Sequence, residues 1–461
     1  MEARARRRGR PRPPGRPDDA GAVLDLTVTG VAHGGWCVAR DPGGRVVFVR
    51  HALPGERVRA KVTQAGAKFA RADAIEILNP SPDRVEPPCP HAHPGGCGGC
   101  DWQHATLAAQ RRLKAEVVRG QLARIAGLDR EVTVEPLTPG ETGLDWRTRV
   151  RYSVAPDGTA GLLAHRSHRV VDVGDCPIAH PLVRDAGVPG LRWEQTDSVE
   201  IVASPESGER AAIVSGRPAA GEPAARRGAG LLAGRADTVL AAGRGGRLAT
   251  VTGRGYLQQT AAGRSWRVGA GAFWQVHPAA AEVLSEAVLA ALAPQPGEVA
   301  LDLYCGAGLF TGALAAAVGP AGTVVGVDFD RAAVRDARHN LRRVPWARVH
   351  AGDVAAVLSR GGWPQPSLAV LDPPRTGAAR TVLAHLLAPA PAGEPQAAAT
   401  ESAGNGRAGL RKVVYVSCDP ATLARDVAVF AGFGWRLDAL RAFDAFPMTH
   451  HVECVATLSP G

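Results

Sequence analysis

One stretch carries a residue type that does covalent chemistry, in a setting where chemistry is commonly housed. In VVYVSCDP, Val413 to Pro420, the residues Val413, Val414, Tyr415 and Val416 form a strand pattern suited to cover on both faces. Cys418 then falls just beyond the carboxyl end, where open α/β sheets place their ligands. Pro420 suits the first turn of a following helix, with Asp419 before it as a cap. A lone cysteine is more often a buried structural thiol than a nucleophile. A nucleophile needs partners, and Glu453 is one. It sits among apolar residues in the alternating strand HHVECVATL. Desolvation raises a carboxyl pKa there, which suits a general base, although a Glu on a strand surface reads the same way.

Other acids fall at strand ends. EVALDLYCGAGLF reads as strand, glycine turn and helix, with Asp302 closing the strand and Gly306 and Gly308 forming the turn. The third glycine of a dinucleotide fingerprint is missing, and a lone Gly-x-Gly is weak evidence. The form suits a ligand without a pyrophosphate, such as S-adenosylmethionine. TVVGVDFD ends in Asp328, placed to accept from ribose hydroxyls. RVHAGD puts Asp353 at a third strand end, near an adenine amino group. LAVLDPPRTG puts Asp372 at a fourth, before two prolines that fix the turn. Arg375 either reaches a polar substrate edge or pairs with Asp372. Each acid taken singly also fits a helix cap; their succession at neighbouring ends favours a ligand.

A separate cluster lies in CPHAHPGGCGGCDWQH, with Cys89, Cys97 and Cys100. The Cys-x2-Cys pair lets two thiolates from one tight turn share a metal, and the interleaved glycines let the backbone wrap closely. A closed site needs a fourth ligand. Cys176, in VVDVGDCPIAH, is one candidate; His91 and His93 are rivals that point to zinc.

These residues need elements to hold them. From Phe273 onward strands alternate with helices, the pattern of a parallel sheet covered on both faces. From Val23 to Ile77 short alternating strands with glycine turns fit a small closed barrel. Residues 105–127 read as a helix with a glycine stop, and 132–265 as β-rich and irregular. In WRTRVRY, Arg147, Arg149 and Arg151 share one face of a strand, a surface suited to RNA backbones and unstacked bases or simply to solvent. The Ala-, Gly-, Arg- and Pro-rich run 204–250 predicts loops or an insertion, and 389–409 a low-complexity surface loop. The expected organisation is therefore a disordered basic tail over 1–20, a barrel over 21–80, a central domain over 84–270 and a Rossmann-like α/β domain over 271–461.

Composition sets the bounds. The 461 residues carry a net charge of +10, of which +6 lies in residues 1–17, leaving a mildly basic body. That balance fits a nucleic-acid partner without proving one. No run is apolar enough to span a membrane, and the amino terminus lacks the apolar core of a signal peptide. The eight cysteines are not spread as a secreted disulfide framework would be, and three of them cluster at 89, 97 and 100. A cytoplasmic monomer is expected.

The runs FWQVHP, LDLYCGAGLF, LDPPR, VSCDPATLARD and HHVECV resemble the 5-methyluridine RNA methyltransferases, the family of the tRNA uracil-54 enzyme and the bacterial 23S rRNA uracil enzymes. That likeness covers residues 270–458; residues 185–250 match least. Gly30, Gly34, Gly35, Phe48-Val49 and the run from Ala52 to Glu56 resemble a TRAM domain, an OB-like RNA-binding module. With the four cysteines, these features resemble the 23S rRNA branch, which carries a four-iron, four-sulfur cluster. The resemblance implies that S-adenosylmethionine contacts Gln275, Tyr304, Asp328, Asp353 and Asp372. It implies Cys418 as nucleophile on uracil C6, Glu453 as base, and Cys89, Cys97, Cys100 and Cys176 as cluster ligands, with zinc as the alternative metal. The substrate implied is a uridine in tRNA or 23S rRNA. Three departures stand out: seven residues between Cys89 and Cys97, Leu309 after the glycine turn, and His277 in place of a common Asn.

Overall fold

The computed structural model describes residues 20–387 and 409–461. Nearly all of the expected basic tail and of the expected low-complexity loop lies outside them. The chain divides into two compact units, at Arg84 and Val85.

The first unit is a closed barrel. Its strands are β1 (Val23–Ala32), β2 (Trp36–Arg40), β3 (Val46–Arg50), β4 (Arg57–Gln64) and β5 (Phe69–Asn79), in the order β1-β2-β3-β5-β4. Alternate residues point inward, so Leu26, Val28, Val47, Val49, Val58, Ala60, Val62, Ala70 and Ala72 fill the core. Gly34 and Gly35 turn the chain between β1 and β2 with φ of 88° and 80°. The fully buried Glu56 ties the last loop down, accepting from Leu53 N at 2.7 Å and from Arg84 Nε at 2.6 Å. These partners hold its carboxyl below the usual range, although burial acts the other way.

The second unit begins with the cysteine loop and α1 (Leu107–Gln121), capped by Thr106 and stopped at Gly127 in the left-handed region, φ 67°. Strand β6 (Val134–Pro136) follows. A central sheet is then built from β7 (Arg149–Val154), β8 (Ala160–Leu163), β9 (Val170–Val171), β10 (Thr196–Ser204), β11 (Glu209–Gly216), β12 (Thr238–Ala242) and β13 (Leu248–Thr252). Its order is β13-β12-β11-β10-β7-β8-β9. The short helix α2 (Pro181–Arg184) and α3 (Gly221–Gly230) accompany it, and a hairpin of β14 (Tyr256–Ala261) and β15 (Arg264–Gly269) leads onward.

The run 204–250 is thus not a loop: it supplies three strands and a helix to this sheet. Its small residues are packing devices. A Cβ on Gly228 of α3 would lie 2.9 Å from Val214 Cγ1, and one on Gly216 would lie 2.2 Å from Gly221 O. Ala224, Ala225 and Ala229 are buried against β11, so α3 lies on the sheet at a distance only small side chains allow.

The last region alternates α4 (Ala280–Leu292), β16 (Val299–Leu303), α5 (Leu309–Val318), β17 (Thr323–Asp328), α6 (Arg331–Asn340), β18 (Ala347–Ala351), α7 (Val354–Arg360), β19 (Leu368–Leu371) and α8 (Arg380–Leu387). After the undescribed segment come β20 (Lys412–Ser417), α9 (Pro420–Gly432), β21 (Trp435–Asp444) and β22 (Glu453–Pro460). The sheet order is β18-β17-β16-β19-β20-β22-β21-β6, parallel from β18 to β20, with β22 antiparallel to β20 and β21. One apolar core, including Leu284, Val288, Leu314 and Val414, covers one face; another, including Val382, Leu423, Val427 and Tyr415, covers the other. Strand β6 pairs with β21, so residues 134–136 complete the sheet of the α/β region rather than the central one. Lys114 of α1 makes a fully buried ion pair with Asp444 at the end of β21. Removing one partner of such a pair leaves an uncompensated buried charge, a cost of about 3–5 kcal/mol.

Candidate active site

The carboxyl ends of β16, β17, β19 and β20 open on one cavity of about 680 Å³, within the range of small-ligand sites. Gln275, Tyr304, Asp328, Asp372, Arg375, Cys418 and Glu453 all line it. Two largely exposed rings, Phe273 at 64% and Phe329 at 69%, stand among the lining residues and offer flat faces to a planar ligand.

The glycine turn after β16 is built for close approach of a ligand. Tyr304 takes φ 69°, a strained value for a bulky residue, and Gly306 and Gly308 follow at 52° and 92°. A Cβ on Gly306 would meet nothing, so its surface is open; one on Gly308 would lie 3.2 Å from Ala337 Cβ, so this glycine serves helix packing. Asp328 at the end of β17 accepts from Gly306 N at 2.9 Å and Asp330 N at 2.8 Å. It stays nearly buried, and burial raises its carboxyl. Asp302 lies beneath the turn, fully buried. Its Oδ2 accepts from Thr311 Oγ1 at 2.6 Å, and its Oδ1 has no partner. Burial pushes it to about 7. Asp372 is likewise pushed to about 7, by burial and then by Asp302 and Asp328. The site therefore collects negative charge that a cationic ligand would relieve.

Asp353 is placed differently. It follows β18, caps α7 by accepting from Ala356 N at 2.9 Å, and is not among the residues lining the cavity. It is close enough to Tyr304 to help burial raise that phenol to about 12.

Cys418 directly follows β20, and Asp419 caps α9 by accepting from Thr422 N at 2.8 Å. Burial first, and the Glu453 carboxylate second, push Cys418 up to about 12, with Arg375 pulling the other way. Glu453 opens β22 at 3% exposure. Burial and Asp372 raise it well above 4.5. Arg375 is the cation that opposes the rise at Cys418. Arg375 makes no ion pair with Asp372 among the described contacts; its Nη2 lies 3.4 Å from His451 Nε2. His451 is pushed down to about 3 by burial, then by His450 and Arg375, and so stays neutral.

The four candidate metal ligands also meet. Cys89, Cys97, Cys100 and Cys176 line one small cavity together with His91, Arg147 and Gly99. Burial raises the thiols of Cys97, Cys100 and Cys176, and their neighbouring cysteines add to the rise. No three His, Cys, Asp or Glu among the described residues are closed around a single-ion point. His93 hydrogen-bonds Pro94 O through Nδ1 at 2.9 Å and does not line this cavity. Cys37, Cys305 and Cys454 are buried elsewhere, in apolar packing.

The arginine face divides in use. Arg149 pairs with Glu200 and donates to Ala272 O at 2.6 Å; Arg151 donates to Ser198 Oγ at 2.9 Å. These two serve the central sheet. Arg147 lines both the active-site cavity and the cysteine cavity. Trp146, Phe446 and His451 also line the cavity; long-range packing brings them there, which leaves no local signal in the chain.

The buried acids yield a stability prediction. A carboxyl raised in the fold holds its proton where the unfolded chain has lost it, so stability falls as pH rises from about 4 to about 7. Asp302→Asn removes that loss while keeping an acceptor for Thr311. The ligand-free variant is expected to exceed the parent in unfolding free energy at pH 8 by about 1–4 kcal/mol, and by much less at pH 5. Denaturant titrations at the two pH values measure it; an equal difference at both refutes the assignment.

A doubly covered sheet with a glycine turn and acids at neighbouring strand ends defines a methyltransferase-type nucleotide site. Comparison with known proteins agrees. Residues 19–75 match the TRAM domain and residues 294–359 a methyltransferase domain. The chain is 47% identical to an uncharacterized RNA methyltransferase of Streptomyces avermitilis, over 95% of this chain and 99% of that one. It is 32% identical to the 23S rRNA (uracil(1939)-C(5))-methyltransferase RlmD of Alkalilimnicola ehrlichii, over 98% of each. Its fold matches the crystal structure of the Pyrococcus abyssi tRNA (uracil-54, C5)-methyltransferase in complex with S-adenosyl-L-homocysteine, with a TM-score of 0.66 at 20% identity, covering 94% and 99% of the two chains. The chain belongs to this family of RNA methyltransferases, and is an S-adenosylmethionine-dependent RNA methyltransferase with a TRAM domain.

Proposed function

We propose that this enzyme methylates C5 of a uridine in structured RNA, tRNA or 23S rRNA, through a covalent adduct on Cys418. The observation that carries the reading is the meeting of the Cys418 thiol, the Glu453 carboxyl and Arg375 in the cavity that the glycine turn and its acids also line. S-adenosylmethionine, when bound, supplies an electrophilic methyl group to C5. Gln275, Tyr304, Asp328 and Asp372 would hold it, and the open face of Gly306 and the unrelieved acids fit a cationic ligand of that size.

Uracil C5 is a weak nucleophile. Cys418 gives up its proton to solvent, its sulfur adds to C6 as the thiolate, and the electron pair of the C5–C6 double bond moves to C5 and the C4 oxygen. After methylation the C5 proton passes to Glu453, the C6–S bond breaks, and its electron pair returns to sulfur. Arg375 stabilises the thiolate at both ends of the cycle. The target base must leave its stack to reach the cavity, and the rings of Phe273 and Phe329 give it a surface to stack on.

We assign Cys89, Cys97, Cys100 and Cys176 to a four-iron, four-sulfur cluster. Four cysteines line one cavity, and burial and neighbouring cysteines disfavour ionisation of Cys97, Cys100 and Cys176, which suits a polycationic partner.

Mapping 5-methyluridine in total RNA from cells with and without the gene tests the activity and identifies the nucleotide together. Loss of one 5-methyluridine is expected. An unchanged map refutes the reading.

A further inference from the structure

We propose that the loop bearing Cys97 and Cys100 is a positioning element for the catalytic base, acting through Asp101 and His450. The inference rests on the reading of Glu453 as the base and of the cysteines as metal ligands.

The turn from Ala445 to Val452 joins β21 to β22 and delivers Glu453 to the cavity. It has little regular structure of its own. Met448 sits at φ 68°, a strained value that needs its surroundings to fix it. Those surroundings come from far away in sequence. Met448 O accepts from Asp101 N at 3.0 Å and Trp102 N at 3.1 Å, and Met448 N donates to the buried Gln110 Oε1 at 2.8 Å. Lys114 Nζ donates to Phe446 O at 3.0 Å. His450 is held twice by one carboxylate oxygen: Asp101 Oδ2 lies 3.1 Å from His450 N and 2.6 Å from Nδ1. The rings of His450 and His451 stand 4.1 Å apart, and His451 meets Arg375, the cation on Cys418. Glu453 follows three residues after His450.

Asp101 directly follows Cys100. Whatever fixes the Cys100 sulfur fixes the backbone of Asp101, and with it the hold on Met448 and His450. The metal site then has a task without reacting: it removes freedom from the turn that aims the base.

The test uses the full-length, metal-loaded protein and four samples: Asp101→Ala, His450→Ala, Asp101→Asn, and the parent stripped by chelator. Asn retains an oxygen able to accept from His450. Amide hydrogen exchange over 445–454 is expected to rise in the two alanine variants and in the stripped parent, and to stay at the parent level in Asp101→Asn. Iron content is expected to be unchanged in all three variants. The kcat of the alanine variants is expected to fall by about 10–100-fold, with KM for RNA within about threefold and Asp101→Asn near the parent. Unchanged exchange over 445–454 in the stripped protein, or unchanged kcat in Asp101→Ala, overturns the proposal. So does iron loss in the variants, which makes Asp101 a support of the metal rather than of the turn. The exchange comparison needs no substrate, so it decides independently of whether uridine is the target.

Discussion

Cys418→Ala is expected to abolish methyl transfer while leaving RNA binding within about tenfold of the parent, because the sulfur acts only in the chemical step. No other thiol is placed to substitute for it. Cys305 is buried under the glycine turn, and Cys454, adjacent to Glu453, points to the other side of the sheet, as strand alternation requires. Cys418→Ser separates shape from reactivity. It preserves the volume and hydrogen-bonding sense of the side chain, but an alcohol in a buried site, with one guanidinium nearby, ionises far less readily than a thiol. It should bind RNA and transfer no measurable methyl group. Filter binding and transfer of labelled methyl groups, on the same preparations, read both quantities. Undiminished transfer by either variant sinks the covalent mechanism and leaves direct attack by the base.

Glu453→Gln is expected to stop the reaction one step later. The amide is nearly isosteric with the acid but takes no proton. Addition of Cys418 and methylation of C5 proceed, the C5 proton stays, and the C6–S bond does not break. An RNA–protein adduct stable to denaturing gels should therefore accumulate to about one per enzyme, in place of turnover. Absence of any adduct, with turnover lost, assigns Glu453 to an earlier step. Turnover retained removes it from the mechanism. In the parent, the raised carboxyl also predicts a pH limb. The base must be ionised to work, so kcat falls as pH drops through a value above 4.5, the usual carboxylate position.

Much of this site was legible in the chain because strand ends are legible. Four apolar residues followed by Cys418, and strands ending at Asp302, Asp328 and Asp372, locate one edge of a sheet from local pattern alone, since ligands in such sheets gather beyond the carboxyl ends. Asp353 obeyed the same pattern, yet its carboxylate is spent on the first turn of α7; a cap and a ligand share one sequence signature. A helix start beside a cysteine ordinarily eases a thiol toward ionisation, yet burial first and the nearby Glu453 second push Cys418 up. Neither burial depth nor the approach of a residue 35 positions away is visible locally. Residues 204–250 misled for a related reason. Alanine and glycine signal a loop when counted, and a tight helix-on-sheet contact when Gly216 and Gly228 face each other's elements. The Asp101–His450 pair, nearly 350 residues apart in sequence, had no local signal at all.

The place of β22 in its sheet has a consequence for how the enzyme comes into being. This strand is synthesised after both of its neighbours, yet it lies between them, bonded to β20 on one side and β21 on the other. Until it inserts, the nascent chain exposes two unsatisfied strand borders, a hazard for clumping, and carries a thiol with no proton acceptor beside it. Insertion closes both borders and delivers Glu453 in one motion, with Ser417 opposite Cys454 as the locking register. A slip of one residue would turn the carboxyl away and present Cys454 instead. Birth of the fold and birth of the activity are thus a single event. On the proposed mechanism, a chain lacking this strand would have no base to release an RNA joined to Cys418, so the last strand completes the sheet and the site together.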